Sequence, residues 1–414
     1  MLTRRVLLSS AALASLAVPA LAASTRQRQR PGGGRPVVRP APAPVDVGPP
    51  AQTPVGPVDT AARWAIILDY NTGAKILDKD ADVRMPPSSM TKLMTAYIVY
   101  GMLKAGRLKL DQTLPVSEKA WRMGGSKMFV QVGSQVTVED LIRGMIVQSG
   151  NDACIVLAEG IAGSEEQFVE LMNKTAAELG LTNSHFENCT GWPADNHYMS
   201  VHDIATLASR IIHDFPEYYK YDSERSFTYG TAADGRPITQ MNRNPLVQKG
   251  LADGLKTGHT EAGGYGLCAS AERNGRRVVM VLNGMATNRQ RAEEGERLLE
   301  WAFREFEDVR LFSASDTIET VPVWLGTAPA VPLVGGRDLV VTMPRNWRSK
   351  AKVSVSYQSP IRAPVRRGAA LGQLVVTGDG VPQMTVPLLA GADVPRLGLP
   401  GRAIAVLTHY VVGG

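Results

Sequence analysis

Ser89-Met90-Thr91-Lys92 is the stretch that decides the fold and function predicted for this 414-residue chain, because two further motifs follow it in order. They are Ser149-Gly150-Asn151 and Lys256-Thr257-Gly258. Each motif alone occurs by chance in many chains of this length. All three together, in this order, predict an acyl-transfer site built around a serine and two lysines.

The first motif predicts a nucleophile and its base. A serine hydroxyl is a weak nucleophile at neutral pH, so a nearby group must accept its proton during attack. Lys92 follows Ser89 by three residues, which is one turn along the same face of a helix. Pro86-Pro87 cannot continue a helix backwards, so we expect a largely buried helix to begin at Ser89, with Ser88 as its cap. Free N–H groups at that end would favour an oxyanion.

The other two motifs predict groups that assist this pair. Lysine is a base only when neutral, and burial or a nearby cation lowers its pKa from about 10.4. Lys256 can supply that cation from across a cleft, and Ser149 can relay a proton to the leaving amine. The Asn151 amide can bind Lys92 and a substrate carbonyl. Gly258 removes a side chain where an extended substrate must approach a strand edge.

Longer stretches around the motifs resemble one enzyme family. These stretches are 148–153, 183–186, 242–244 and 253–260. They are similar to the penicillin-binding D-alanyl-D-alanine carboxypeptidases, the low-molecular-mass group of the serine acyltransferases that also includes serine β-lactamases. The resemblance covers about residues 60–310 strongly and the remainder loosely.

The resemblance implies how the reaction is catalysed. Ser89 would form the acyl-enzyme, Lys92 would be the base, and Ser149 and Asn151 would assist. The backbone N–H groups of Ser89 and His259 would form the oxyanion hole.

The resemblance also implies how the substrate is held. Lys256 and Thr257 would bind it, and an arginine after the third motif would bind its terminal carboxylate. Arg291 matches that position best, with Arg289 as the rival, and a guanidinium fork suits a carboxylate in geometry and charge. The structural alternative is that Arg291 merely solvates the first turns of its helix.

Residues 1–22 have the pattern of an export signal. Arg4-Arg5 precedes a short apolar run, and Ala20-Leu21-Ala22 offers a cleavage site after Ala22. The stretch 3–8 is also close to a twin-arginine signal, so the export route stays open. The apolar run is shorter than the ~20 residues of a membrane span, which argues against an uncleaved anchor. We expect a periplasmic protein, with peripheral contact at the outer face of the inner membrane left open.

Residues 23–58 predict a disordered linker, because they are mainly Pro, Gly, Ala, Gln and Arg. Residues 1–58 hold seven arginines and one acid, Asp46, for a net charge of +6. The whole chain is also +6, so residues 59–414 sum to zero. A neutral folded body argues against nucleic-acid binding. Weak attraction of the linker to anionic lipid or acidic wall polymer is the alternative to a plain solvated linker.

The cysteines and histidines suggest neither a disulfide scaffold nor a metal site. Three cysteines are too few for such a scaffold in an exported chain of this size. Cys154 and Cys268 lie in helix-like and strand-like apolar runs and are interpreted as small core residues, whereas Cys189 is left open. The six histidines show no metal-ligand spacing, so we expect no metal and no cofactor.

The pattern after residue 58 predicts an α+β domain over 59–310. Residues 63–77 predict a hairpin turning at Asn71-Thr72-Gly73, and residues 89–212 are mainly helical. After Gly254 strands return, with a turn at Asn274-Gly275. The final helical spacing runs from Gln290 to Phe306 and predicts packing on the sheet. The fold class expected is an antiparallel sheet flanked by helices, with an inserted helical subdomain, as in serine β-lactamases and transpeptidases.

Two segments complete the chain. Residues 316–398 contain short alternating runs between Gly and Pro turns, which predict a small all-β domain. Carboxypeptidases of this group commonly carry such a domain, whereas the related endopeptidases and β-lactamases generally lack it. Residues 399–414 form a short candidate amphipathic tail with Ala403, Ile404, Leu407, Tyr410 and Val411 on one face. Modest membrane affinity and packing on the β domain both stay open.

The predicted function is that of a serine-type D-Ala-D-Ala carboxypeptidase acting on peptidoglycan stem peptides, with penicillins acylating Ser89. Two alternatives stay open. A serine β-lactamase would need a carboxylate to activate the deacylating water. Glu187 is the candidate, because it follows the second motif at a suitable distance along the sequence. A non-catalytic cell-wall-binding protein would need none of the motif residues to react.

Overall fold

The computed structural model of the protein describes residues 47–378 and 383–412. The predicted signal peptide, residues 1–22, and the greater part of the predicted linker lie outside these ranges. The last linker residues are part of the folded body, since Ala51 pairs with Val58 and Gln52 with Asp78. Ala51 is fully buried. The boundary predicted at residue 58 is therefore too late.

The first part of the body alternates strands and helices. The strands are β1 Trp64–Asp69, β2 Lys75–Lys79, β3 Thr113–Pro115, β4 Gln135–Thr137, β5 Ser226–Thr231, β6 Pro237–Met241, β7 Gly254–Thr260, β8 Gly264–Arg273 and β9 Arg276–Met285. The helices are α1 Lys92–Lys104, α2 Glu118–Arg122, α3 Val138–Val147, α4 Asn151–Ala162, α5 Glu165–Glu178, α6 Val201–Asp214, α7 Pro216–Tyr219, α8 Pro245–Lys249 and α9 Asn288–Glu305. Short 3-10 helices occupy Ser88–Thr91 and Lys220–Ser223.

The main sheet is antiparallel, with strand order β2-β1-β9-β8-β7. Both predicted hairpins are confirmed: β1 turns into β2, and β8 turns into β9 at Asn274-Gly275. Asn274 and Gly275 have φ of 53° and 78°, the left-handed values that a two-residue hairpin turn requires. Strand β7, which carries the third motif, lies at one edge of the sheet.

Both faces of this sheet are covered, because its central strands are apolar on both sides. On β1, Ile66 packs with the helices inserted between β2 and β7, whereas Ile67 packs with α9 on the other face. Leu298 and Leu299 of α9 belong to the same second core. The predicted α+β architecture with an inserted helical part is therefore confirmed. Phe306, assigned to the helix by its spacing, begins the next strand instead.

The second part of the body is a β-rich domain. Its strands are β10 Phe306–Phe312, β11 Thr317–Trp324, β12 Ala330–Val334, β13 Leu339–Pro344, β14 Ala351–Tyr357, β15 Ile361–Arg362, β16 Ala370–Gly378 and β17 Met384–Ala390. Strands β10 and β13 pair, and the others form a sheet of order β14-β16-β17-β12-β11-β15 around a separate apolar core. The domain begins at β10, before the predicted boundary of 316, because β10 pairs with β13 and not with the first sheet.

A buried ion cluster joins the two parts. We call Asp69, Arg276 and Asp308 the junction cluster. Arg276 Nε lies 2.8 Å from Asp69 Oδ2 and 3.4 Å from Asp308 Oδ1, and its Nη1 donates to the carbonyls of Ala302 and Phe306. Burial, and then the nearby Asp69, raise the pKa of the Asp308 carboxyl. Groups from both sides of the junction therefore contact the guanidinium, although its buried Nη2 has no hydrogen-bond partner among the described residues.

The three cysteines are buried and unpaired with one another. Cys154 lies in α4 and Cys268 in β8, which confirms their prediction as core residues. Cys189 is also in the core. Within 47–378 and 383–412, no cluster of three or more His, Cys, Asp or Glu residues is arranged to hold a metal ion.

The chain ends in α10, Leu399–Val412. Leu399, Ile404 and Leu407 of this helix are exposed. Tyr410 and Val411 were also predicted on the apolar face, but their side chains are not among those that the structure describes. None of the helices described by the structure is long and apolar enough to cross a membrane.

Candidate active site

The first motif sits where the 3-10 helix Ser88–Thr91 leads into α1, which begins at Lys92. The predicted helix start is therefore correct to within one turn. The prediction that Ser88 caps the helix is wrong, because no side-chain capping bond is made there. Ser88 has a φ of 52°, and its Oγ lies 2.9 Å from Thr260 Oγ1 on β7. Ser88 thus links the helix start to the edge strand, while Ser89 is half-buried beside the cavity.

Lys92 points back to Ser89 from a fully buried position. Its Nζ lies 2.9 Å from Ser89 Oγ, 2.7 Å from Asn151 Oδ1 and 2.6 Å from the Thr190 carbonyl oxygen. Burial lowers the pKa of the Lys92 amine, and the nearby Arg243 acts in the same direction. The geometry and the charge environment both suit a proton acceptor for the serine hydroxyl.

The second motif lies on the opposite wall, at the start of α4. Asn151 donates from Nδ2 to the Gly124 carbonyl, 2.8 Å away, which leaves Oδ1 toward Lys92. Ser149 has a φ of 64°, and its buried Oγ has no hydrogen-bond partner among the described residues. Ser149 also lines the cavity, so this hydroxyl is free to contact a ligand there.

The third motif brings β7 against the 3-10 helix. Lys256 is fully buried, and its Nζ donates to the Thr257 carbonyl at 3.2 Å. Burial lowers the pKa of Lys256 well below its usual value, and Lys92 and then Arg243 lower it further. The three motifs predicted to meet do therefore line one cleft.

Gly258 is required by close packing rather than by the approach of a substrate alone. A Cβ at this position would lie 3.0 Å from the Pro87 carbonyl oxygen and 3.4 Å from the Ser89 backbone nitrogen. Any larger residue would push β7 away from Ser89. The glycine therefore sets the distance between Ser89 and the edge strand.

The cleft has a cavity volume of about 900 Å³. It is lined by Ser89, Ser126, Ser149, Asn242, Arg243, Pro245, Gln248, Thr257, Gly258, His259, Tyr265, Asn288, Arg289, Arg291 and Ala292. None of these lining residues carries a carboxylate, whereas arginines occupy one end. The cavity therefore suits a ligand with a negatively charged group.

The two candidate arginines differ in environment. Arg291 is buried, its Nη2 donates to Asn288 Oδ1 at 2.6 Å, and its Nε has no partner among the described residues. Burial lowers the pKa of Arg291 to about 10. Arg289 is exposed, and its Nε pairs with Glu293 at 2.7 Å. Of these two candidates, Arg291 is the one with a buried, unpartnered N–H group at the cavity, and its role in binding a carboxylate stays a prediction.

His259 is exposed at the cavity on β7 and stacks on Tyr265, with 3.9 Å between ring centroids. Tyr265 also lies under the Arg291 guanidinium, at 5.7 Å from its ring centroid. The aromatic pair therefore supports both the edge strand and the buried arginine.

Glu187, on which the β-lactamase alternative depends, does not line the cavity. Its Oε1 lies 3.4 Å from His185 Nδ1, and its backbone N–H donates to His197 Nδ1. Its carboxylate contacts His185 and is not part of the cavity lining.

Two groups at the site were not predicted from the sequence. The Thr190 carbonyl binds Lys92, and a backbone carbonyl leaves no signal in a residue type. Arg243 lines the cavity and acts on both lysines. It belongs to the stretch 242–244 that carried the family resemblance, but that resemblance gave it no role.

A serine with a buried lysine beside it, and a second buried lysine on the edge strand of an antiparallel sheet, define a serine acyltransferase of the β-lactamase and transpeptidase fold. Residues 51–287 match the family described as D-alanyl-D-alanine carboxypeptidase, and residues 306–396 match the C-terminal domain of penicillin-binding protein 5. The chain belongs to the D-alanyl-D-alanine carboxypeptidase family and is a serine-type D-Ala-D-Ala carboxypeptidase.

Similar proteins span nearly the same length. D-alanyl-D-alanine carboxypeptidase DacC of Escherichia coli (strain K12) is 38% identical over 360 residues, covering 85% of this chain and 88% of the relative. Penicillin-binding protein 5 from Haemophilus influenzae superposes with a TM-score of 0.73 at 36% identity, covering 82% and 99% of the two chains. DacD from Francisella tularensis gives 0.72 at 31% identity, covering 82% and 95%. These findings do not favour the β-lactamase or the non-catalytic alternative.

Proposed function

We propose that Ser89 is the nucleophile and Lys92 its general base. Neutral Lys92 takes the hydroxyl proton as Ser89 Oγ attacks the carbonyl between two terminal D-alanines. The observation that carries this proposal is the 2.9 Å distance from Lys92 Nζ to Ser89 Oγ. The lowered pKa of Lys92 supports it, because only the neutral amine accepts a proton.

The tetrahedral intermediate is held by the backbone N–H groups of Ser89 and His259, and Asn151 binds a substrate carbonyl. Ser149 relays a proton to the leaving amine, and free D-alanine departs. Water then attacks the acyl-enzyme, and the Ser89 hydroxyl is regenerated as the shortened peptide leaves. The unpartnered Ser149 Oγ and the tight packing of Gly258 on the nucleophile support these roles.

The substrate binds as an extended chain along β7, which is an edge strand with free pairing capacity. Lys256, Thr257 and Gly258 hold it there. Arg291 binds the terminal carboxylate, which its buried and partly unpartnered guanidinium supports.

The natural substrates are peptidoglycan stem peptides that end in D-Ala-D-Ala. Penicillins acylate Ser89 as mimics of that dipeptide. Removal of the last D-alanine withdraws donors from crosslinking and so influences wall structure and cell shape. The export pattern of residues 1–22, followed by the linker, supports action in the periplasm.

The tail gives weak contact with the membrane surface. The exposed Leu399, Ile404 and Leu407 of α10 support this part of the proposal. Vesicles containing anionic lipid should retain a small fraction of the protein, and a variant ending at residue 398 should show no retention. Equal retention of both would assign any attachment to another part of the chain.

The test of the reaction uses a peptide ending in Lys-D-Ala-D-Ala and a fluorescent penicillin. The protein should release D-alanine and hold a lasting penicillin adduct. Ser89→Ala should abolish both. Ser88→Ala is the matched control, since it removes the neighbouring hydroxyl, and it should retain both activities.

Other outcomes would favour other functions. Rapid penicillin hydrolysis without D-alanine release would move the assignment to a β-lactamase. Neither activity in the folded protein would leave a wall-binding role. Release that persists in Ser89→Ala would contradict the assignment of the nucleophile.

A further inference from the structure

A fully buried carboxylate next to the second motif has no part in the mechanism above. Asp152 lies in the first turn of α4. Its oxygens accept hydrogen bonds from the backbone N–H groups of Met128 (2.9 Å), Phe129 (2.9 Å) and Val130 (3.3 Å). Three consecutive donors aimed at one carboxylate compensate its burial and hold the loop that supplies them.

The loop 124–130 also holds Asn151. The Ser126 carbonyl accepts from the Asn151 backbone N–H at 2.7 Å, and the Gly124 carbonyl accepts from its Nδ2 at 2.8 Å. Because Nδ2 is committed to Gly124, the amide must present Oδ1 to Lys92. The orientation of this amide is therefore set by the loop and not by Lys92 alone.

The conformation of the loop shows that it is held in place. Phe129 has a φ of 70°, a left-handed value that a non-glycine residue rarely adopts without support from its surroundings. Phe129 is 46% exposed, so side-chain packing alone does not impose this value. The hydrogen bond from Phe129 N–H to Asp152 Oδ2 is a contact that supports this backbone conformation.

We propose that Asp152 is a positioning residue for the acylation step. Through loop 124–130 it fixes the Asn151 amide, and through that amide it holds Lys92 Nζ beside Ser89. Loss of the carboxylate would release the loop and free the amide to turn its NH₂ group toward Lys92. The inference rests on the proposed roles of Ser89, Lys92 and Asn151.

The test compares two buried carboxylates that both accept from backbone N–H groups. Asp152→Asn puts an NH₂ group against the loop donors. Asp203→Asn is the matched control, because Asp203 accepts from Asn183 N–H at 2.8 Å and Ser184 Oγ at 2.7 Å and does not line the cavity. Both variants are measured well below their melting temperatures. The readouts are penicillin acylation, kcat for D-alanine release, and non-covalent penicillin binding in a Ser89→Ala background.

We expect Asp152→Asn to lower acylation and kcat roughly 10²-fold, since small misplacements of reacting groups have effects of that size. Non-covalent binding should stay within about twofold, because the binding strand is untouched. Asp203→Asn should acylate within about twofold of the parent protein even where its melting temperature falls. Equal loss in both variants, or an unchanged rate in Asp152→Asn, would overturn the inference.

A second variant covers the case in which Asp152→Asn does not fold. Phe129→Val places a β-branched residue at a left-handed position and strains the loop from the surface. It should lower acylation several-fold while binding is kept, and a folded variant with an unchanged rate would overturn the inference. Failure of the parent protein to release D-alanine would instead contradict the proposed function, so the two failures can be told apart.

Discussion

The catalytic cleft and the domain junction both bury positive charge, and they do so in opposite ways. In the cleft, Lys92, Lys256 and Arg291 are buried, and none of them forms a salt bridge with a described residue. At the junction, Arg276 is also buried, but Asp69 and Asp308 lie beside it and two carbonyls accept hydrogen bonds from it. A buried charge without a counter-ion is costly, so its persistence indicates function, whereas the junction shows what a structural charge requires.

The difference shows how the cleft lowers the pKa of its two lysines. Burial lowers the pKa of Lys92 and Lys256, and the neighbouring cations lower both further. A carboxylate in direct contact with either amine would oppose this lowering of the pKa. The residues that line the cavity carry no carboxylate, and we expect substitutions in the two regions to have opposite consequences.

The largest effect should come from Lys92→Met, which removes the proposed general base. D-alanine release and penicillin acylation should fall about 10²–10⁴-fold, the usual range for loss of a general base. The free energy of unfolding should change by less than about 2 kcal/mol, because relief of desolvation offsets the lost hydrogen bonds. Activity assays and urea unfolding check the two halves. A large loss of stability with little loss of rate would show that the cleft is built like the junction.

The reverse result is expected for Arg276→Met. Removal of this guanidinium leaves Asp69 buried without its partner, so the free energy of unfolding should fall by about 3–5 kcal/mol. Acylation by penicillin at low temperature should stay within about twofold of the parent protein. Arg310→Met is the control, since Arg310 is exposed and its pair with Asp338 at 3.4 Å should be worth less than about 1 kcal/mol. Equal effects of the two substitutions would contradict the account of the junction.

The sequence predicted the cleft well because the reaction demands particular residue types. Ser89, Lys92 and Lys256 were predicted from residue type, order and spacing. In the structure Ser89 lines the cavity, and the two lysines are buried behind the cavity lining. The hairpin turns were equally predictable, since Asn274-Gly275 carries its own local conformational preference.

The features that the sequence did not predict depend on contacts between residues that are distant in sequence. Ser88 was predicted as a cap from its position before the helix, but its hydroxyl bonds to Thr260, which no local pattern reveals. Asp152 holds its loop through backbone N–H groups, which carry no residue identity. The start of the β-rich domain at Phe306 is set by pairing with β13, and helical spacing alone extended the preceding helix over it.

A third test concerns a buried carboxylate in the 3-10 helix Lys220–Ser223. Asp222 is fully buried, and its oxygens have no hydrogen-bond partner among the described residues. Burial, and then Asp253, raise its pKa well above the usual value, although Lys256 acts against them. The folded protein therefore keeps a proton on Asp222 to higher pH than the unfolded chain does.

Stability should consequently fall as pH rises from the unfolded pKa of about 3.9 to the raised folded pKa, by about 1.4 kcal/mol per pH unit at most. Asp222→Asn stays neutral and should not show this loss. The two proteins should be similar at pH 4, and the variant should become the more stable one toward neutral pH. Urea unfolding across that range checks the sign, and a parent protein that gains on the variant as pH rises would show Asp222 to be a paired anion like Asp69.

The smallest effect is expected for the two arginines at the cavity, Arg289, which is paired with Glu293, and Arg291, which has an unpartnered N–H group. Arg291→Lys removes a planar fork from a buried site, so KM for a peptide ending in D-Ala-D-Ala should rise roughly tenfold, the loss expected for one charged hydrogen bond. Arg289→Lys changes an exposed arginine already paired with Glu293 and should leave KM within about twofold. Steady-state assays on both variants check the ratio. The two residues lie two positions apart on one helix, so they differ mainly in burial and in hydrogen-bond partners. An equal rise in KM for both variants would mean that a buried arginine with an unpartnered N–H group does not mark the carboxylate site. The cleft and the junction would then not differ in the way proposed above.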